Sequence, residues 1–289
     1  MMINEAKVRS DWEARQTSKS AAVVNQRADR SIVLKNVGKI FNTQSGQVTA
    51  LSNVDLAIES GQFVSIVGPS GCGKSTLMRI VAGLMPATSG SVQVGGHKIV
   101  KPYTDLGIVF QRDLLMESRT ALENILLQIE MRGLNKKDYV AKAHELLERV
   151  NLAGFANKYP REMSGGMRQR VGICRAMIHN PPVMLMDEPF GALDALTRDE
   201  ITADLAALCE SDGKTVLFIT HSINEAIFLS DRVIVMTARP ARIAMDIPVN
   251  IARPRSNLSE QDAIAFANHG KEIRSLLLSK ANQGKVEVI

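Results

Sequence analysis

FVSIVGPSGCGKST, Phe63 to Thr76, constrains the fold of this chain more than any other stretch. A short apolar strand ends in glycine at Gly68, and apolar residues at helical spacing follow at Leu77, Ile80 and Val81, with Gly83 as the stop. Between strand and helix, Gly68, Pro69, Ser70, Gly71, Cys72, Gly73, Lys74 and Ser75 fit GxxxxGK(S/T). In that context the glycines let successive backbone N–H groups curl around phosphates, and the helix start adds its positive dipole end. Lys74 would reach the β- and γ-phosphates, and the Ser75 hydroxyl is offered to Mg²⁺. A tight glycine-rich turn is the plain alternative.

The rest of the chain alternates in the same way. IVLKNV (Ile32 to Val37) and VDLAIE near Val54 read as strands, SVQVGGHKI as a hairpin turning at Gly95 and Gly96, and LGIVF as another strand. Residues from about 119 to 150 follow a helical pattern, with Val140, Ala143, Leu147 and Val150 on one face of the second helix. VMLM, a helix from about Leu196 to Cys209, TVLFIT, a helix through Asn224 to Leu229, and RVIVM come next. Short apolar strands alternating with helices predict an α/β fold with a mostly parallel sheet covered on both faces. Past Ala238 the text turns proline-rich and basic, then closes with a helix capped by Ser259 and Asp262. That tail packs on the domain or stands apart. Residues 1–29 are polar and without periodicity and read as a loosely ordered extension.

Several polar residues fall at strand ends, the rim where open α/β sheets bind ligands. VMLMDE puts Asp187 and Glu188 there; Asp187 is the expected Mg²⁺ partner, and Glu188 is then free to polarise an attacking water as general base. Alternatively both acids cap the following loop. Gln111 follows LGIVF and can ligate Mg²⁺ or the lytic water. His221 follows VLFIT and can hydrogen-bond the γ-phosphate; the other four histidines are read as structural.

MSGGM, Met163 to Met167, begins a second anion-ready helix with no lysine. Ser164, Gly165 and Gly166 would have to fold back onto one crowded spot to reach their own chain's γ-phosphate. A second copy could offer them, closing two composite sites in a two-fold dimer. An ordinary serine-capped helix is the alternative.

Composition narrows the class. Lys and Arg total 35 against 30 acids, so mild an excess that an ordinary solvated surface explains it better than a nucleic-acid or anionic-lipid partner. Three widely spaced cysteines without a CxxC pair argue against a disulfide framework or a zinc site and fit a reducing cytosol. The N-terminal stretch has no secretory pattern, and no apolar run approaches the roughly 18 residues that cross a bilayer, so a soluble subunit is expected.

Together these residues resemble the ATP-binding subunits of ABC transporters over roughly residues 30–250. The resemblance rests on the phosphate loop Gly68 to Thr76, Gln111, the signature MSGGM (usually LSGGQ), VMLMDE, the D-loop residues Ala192, Leu193 and Asp194, and His221. It implies a P-loop NTPase core with an antiparallel β subdomain and a helical subdomain at about 112–168, followed by a C-terminal tail at 251–289. ATP and Mg²⁺ are the implied cofactors, with Thr76 and Asp194 in the nucleotide site and Phe41 stacking on adenine unless it is a core residue. VFQRDLLMESRTALENILL and ARPARIAMDIPVNIARPR look most like the nitrate, sulfonate and taurine importer subgroup. That subgroup often has tryptophan where Ser118 stands, in the segment that meets the membrane subunit. The implied partners are a second ATPase copy, an integral membrane permease at the cytoplasmic face and, indirectly, a substrate-binding protein, with no nucleic acid. An exporter or non-transport ABC ATPase is the alternative; a P-loop kinase would leave MSGGM and His221 without a role.

Overall fold

Strands that are apolar along their whole length need cover on both faces, and the chain supplies it from two directions. The computed structural model describes residues 29–283, apart from 45, 192–194, 212 and 256. In chain order it runs through β1 (Ile32–Thr43), β2 (Gly46–Ile58), β3 (Phe63–Val67), α1 (Lys74–Val81), β4 (Ser89–Val94), β5 (His97–Lys98) and β6 (Leu106–Val109). Three helices follow: α2 (Ala121–Met131), α3 (Val140–Arg149) and α4 (Gly165–Met177). The chain continues through β7 (Val183–Asp187), α5 (Ala195–Ser211), β8 (Thr215–Ile219), α6 (Ile223–Leu229), β9 (Arg232–Met236), β10 (Ile243–Pro248) and α7 (Glu260–Gln283).

The central sheet has the order β10-β9-β3-β8-β7-β6. All its neighbours pair in parallel except the edge pair β9–β10. Its inner strands β3, β7 and β8 are buried at every residue, which is why they carry no alternation in sequence. One face packs with α1 and a second, antiparallel sheet of order β2-β1-β4-β5, burying Ile32, Leu34, Val54, Leu77 and Ile219 in one cluster. The other packs with α2, α3, α4 and α5 around Ile125, Leu147, Val171, Leu205 and Phe218. Helix α2 begins with a capping box in which Thr120 and Glu123 satisfy each other's backbone N–H groups, a device worth about 1 kcal/mol.

Three elements differ from the sequence expectation, the second strand among them, since it begins at Gly46, eight residues before VDLAIE. The first strand runs on to Thr43, because register shifts along the β1–β2 pair break its alternation after Leu34, where Asn36 takes φ 49°. The segment RIAMDIP, read only as part of a proline-rich, basic stretch, contains β10. It is an edge strand, half-exposed and ending in Pro248, where no ladder N–H is required. The tail packs on the domain: Ile247, Val249, Ile251 and Ile273 are buried in a third cluster with Val67, Ala226, Ile227, Val233 and Val235. Among the described residues no helix is long and apolar enough to cross a membrane.

Candidate active site

Because β3, β7 and β8 are parallel neighbours, whatever follows each of them arrives at the same rim of the sheet. After β3 the chain turns through Gly71 (φ 70°) and Gly73 (φ 130°), conformations that favour glycine. A Cβ on Gly73 would lie 3.0 Å from Leu51 Cδ2 and 3.3 Å from the Ala50 carbonyl, so the β2 strand presses on the loop. Gly73 is also the cap of α1 and brings no side-chain hydrogen bond to the helix start. The first amides of α1 are thus left to a ligand.

Lys74 is only 5% exposed. Its ammonium donates to the carbonyls of Gly68 (2.9 Å) and Pro69 (3.2 Å) and lies 4.0 Å from Glu188 Oε1. Ser75 donates its hydroxyl to Asp187 Oδ1 at 2.8 Å. Burial pushes the Asp187 carboxyl above its ordinary range; the Ser75 hydroxyl pulls it back, and the Glu188 charge adds to the rise. Burial likewise pushes the Cys72 thiol up, which leaves it a packing residue rather than a nucleophile.

Glu188 sits at φ 45°, a left-handed conformation that costs a non-glycine residue about 1–3 kcal/mol. Its N–H donates to the Ile219 carbonyl at 2.8 Å, which ties the end of β7 to β8. Its Oε2 lies 3.2 Å from Nδ1 of the exposed His221. Gln111 is exposed nearby: a methyl group on Gly191 would be 3.7 Å from Gln111 Nε2 and 3.9 Å from Glu188 Oε2. The structure therefore brings Lys74, Ser75, Gln111, Asp187, Glu188 and His221 to one rim.

The other sequence candidates lie elsewhere. Phe41 is half-buried on β1, opposite Val48, with the Lys39 ammonium 5.2 Å from its ring centroid; the contacts of that hairpin with the loop are made by Ala50 and Leu51. Ser164 caps α4, its hydroxyl accepting the Met167 N–H at 3.3 Å, and Ser164 and Gly165 are exposed. Among the described residues, no hydrogen bond of Ser164, Gly165 or Gly166 reaches the phosphate loop; α4 is anchored instead to the segment after Gln111 through Arg168 Nε to Asp113 Oδ2, 2.8 Å. Ala192, Leu193 and Asp194 lie outside the described residues.

Sequence reasoning missed two supports. Arg239 Nε donates to the Gly71 carbonyl at 2.6 Å from a loop 168 residues away, and nothing local marks it. Behind His221, Thr220 donates to the buried Glu225 at 2.5 Å and accepts the Ser222 N–H at 2.9 Å, while Arg198 Nε lies 3.7 Å from Glu225. Ser222-x-x-Glu225 was legible as a capping-box pattern.

Residues 51–191 match the ABC transporter family. Over 244 residues the chain is 42% identical to an ABC transporter ATP-binding protein of Methanocaldococcus jannaschii, covering 84% of this chain and 90% of that one. The chain belongs to the ABC transporter ATP-binding subunits. This cassette is also 43% identical over 230 residues to an aliphatic sulfonates import ATP-binding protein of Bacillus thuringiensis (80% of this chain, 90% of that one). With a taurine import ATP-binding protein of Escherichia coli it shares 41% over 208 residues (72% and 82%). A solved dimeric ATP-binding cassette in a post-hydrolysis state, bound to ADP and phosphate, aligns with TM-score 0.68 at 37% identity over 76% of this chain and 99% of that one. The fold is accordingly that of an ABC ATPase, the activity of the cassette is ATP hydrolysis, and its relatives include the sulfonate and taurine import subunits.

Proposed function

We propose that the cassette powers import of a small nitrate-, sulfonate- or taurine-like solute, working as a dimer against a separate membrane permease at the cytoplasmic face, with a substrate-binding protein delivering the solute. The observation that carries this is the pair of anion-ready helix starts. One is wired to Asp187, Glu188 and His221; the other, at Ser164, is exposed and, among the described residues, has no hydrogen bond to the first. A head-to-tail pair of copies gives the second a phosphate to bind; that a related cassette is dimeric with ADP and phosphate bound supports the reading.

In each site the loop amides from Gly68 to Thr76 would cradle the phosphates, with Phe41 against the adenine. Lys74 would exchange the Gly68 and Pro69 carbonyls for the β- and γ-phosphates. Ser75 and Asp187, hard oxygen donors held 2.8 Å apart, fit Mg²⁺, which neutralises phosphate charge when bound. Glu188 would take a proton from water as the water oxygen bonds the γ-phosphorus and the bridging bond to ADP breaks. His221, 3.2 Å from Glu188, orients that carboxylate, while Gln111 positions the water. The partner copy's Ser164, Gly165 and Gly166 amides, joined by Asp194, would close over the γ-phosphate.

Docking to a permease is supported by the apolar residues that the helical region presents to solvent. Leu114, Met116, Met131 and Leu134 are all exposed, Met131 at 75%. A pull-down of tagged Glu188→Gln protein from detergent-solubilised native membranes in ATP checks the reading. A polytopic membrane protein is expected in the eluate; soluble or nucleic-acid partners alone would remove transport and leave the ATPase.

A further inference from the structure

Helix α6 spans seven residues, about 10 Å at 1.5 Å per residue, and begins two residues after His221. Its last helical bond runs from the Ser230 N–H to the Ala226 carbonyl at 3.2 Å. The carbonyls of Ile227, Phe228, Leu229 and Ser230 are therefore left over, as at any helix end. Two arginines of the tail meet all four.

Arg255 Nη1 donates to the carbonyls of Ile227 (2.6 Å), Phe228 (3.1 Å) and Ser230 (2.8 Å). Arg253 Nη2 donates to the Leu229 carbonyl (2.7 Å) and to Asp231 Oδ1 (2.8 Å). Arg255 is 5% exposed, and its Nε and Nη2 also grip the tail's own backbone at Ile251 (3.2 and 3.0 Å), with Nη2 reaching Val249 (3.3 Å). One buried fork thus joins tail and helix, with its positive charge at the negative end of the α6 dipole. Asp231, the carboxylate partner of Arg253, accepts the Phe63 N–H at 2.8 Å through its other oxygen, so the same knot reaches the start of the strand that feeds the phosphate loop. Helix α7 packs beside α6, its Ile273 buried in one cluster with Ile227.

From these contacts we propose that Arg255, helped by Arg253, is a positioning residue for ATP hydrolysis. The tail strap sets the C-terminal end of α6, and through that short rigid helix the place of His221 against Glu188. The inference rests on the proposed role of His221. The competing view is that the strap only stabilises the fold, since Ser222, Thr220 and Glu225 hold the other end of α6 locally.

Two readouts on the full chain separate these views: steady-state hydrolysis of Mg-ATP, and the NMR signal of the His221 imidazole, assigned by its loss in His221→Gln. Arg255→Met keeps the volume and removes the fork. Its kcat should fall about tenfold with KM for ATP within about twofold, a loss confined to the reacting state. The His221 signal should shift or broaden while that of His97 stays. Arg255→Lys, which retains the charge and part of the bonding, should recover part of the rate. An unmoved His221 signal, or an unchanged kcat, would overturn the proposal. If Arg255→Met does not fold, Arg253→Gln, at a less buried position, is measured in the same two ways, and the same pair of results supports or overturns the proposal. Full activity in His221→Gln would sink the role given to His221, and the NMR comparison would still decide whether the strap moves it.

Discussion

Helices α1 and α4 both have a glycine at or just before their first residue and both offer free amides, yet they are finished differently. At α1 the cap is Gly73, with no side chain to satisfy the first turn, and the lysine beside it is buried among loop carbonyls. At α4 the Ser164 hydroxyl satisfies the Met167 N–H, a cap worth about 1 kcal/mol that holds the exposed start in place and leaves the amides before Met167 for a ligand. A helix start left open inside a ring of charged groups is built around its ligand. One that is capped and exposed is stable alone and free to meet a second molecule.

The largest effect should come from closing the open start. Gly73→Ala puts a methyl at φ 130° against Leu51 and the Ala50 carbonyl, so nucleotide affinity should drop by at least about a hundredfold, as read by fluorescent ATP titration. Retained affinity would mean the loop is not shaped by its glycines. Next is the capped start. Gly165→Asp meets nothing closer than Arg168 at 4.0 Å, so the fold and single-chain ATP binding should persist, while a negative charge among the amides lowers kcat roughly a hundredfold. Wild-type turnover in that variant would erase the functional half of the comparison.

The smallest effect measures what the buried side of the comparison costs. The Asp187 carboxyl is raised above its ordinary pKa, so the folded chain holds that proton more tightly than the unfolded chain does. Ionising it therefore costs stability, nothing below the ordinary carboxylate pKa and the full amount above the raised one. Asp187→Asn should melt about 2–4 °C higher than the parent at pH 7, with the gain shrinking as the pH falls toward the ordinary carboxylate value. A lower melting temperature at pH 7 would show that Asp187 is a structural anchor rather than a functional burden.

Most of the rim was legible because its residues directly follow apolar strands. Gly68, Asp187, Glu188 and His221 each continue a run that burial makes apolar, and parallel pairing then delivers them to one edge. The tail was not legible. β10 shows weak alternation because it is a half-exposed edge, and Arg253 and Arg255 look like surface charges in a proline-rich run. Phe41 belongs to the hairpin that presses on the loop, but the residues that touch Gly73 are Ala50 and Leu51, which no motif marks.

By itself, then, the sequence determined the α/β class, the phosphate loop and the order in which its helpers appear, since strand burial and loop chemistry write themselves into neighbouring residues. Tertiary structure alone decided that Arg239 holds Gly71, that β10 completes the sheet, and that Arg255 meets the end of the helix that follows His221. Those contacts join residues 7 to 168 positions apart through backbone carbonyls, which every residue type carries, so no pattern of side chains announces them.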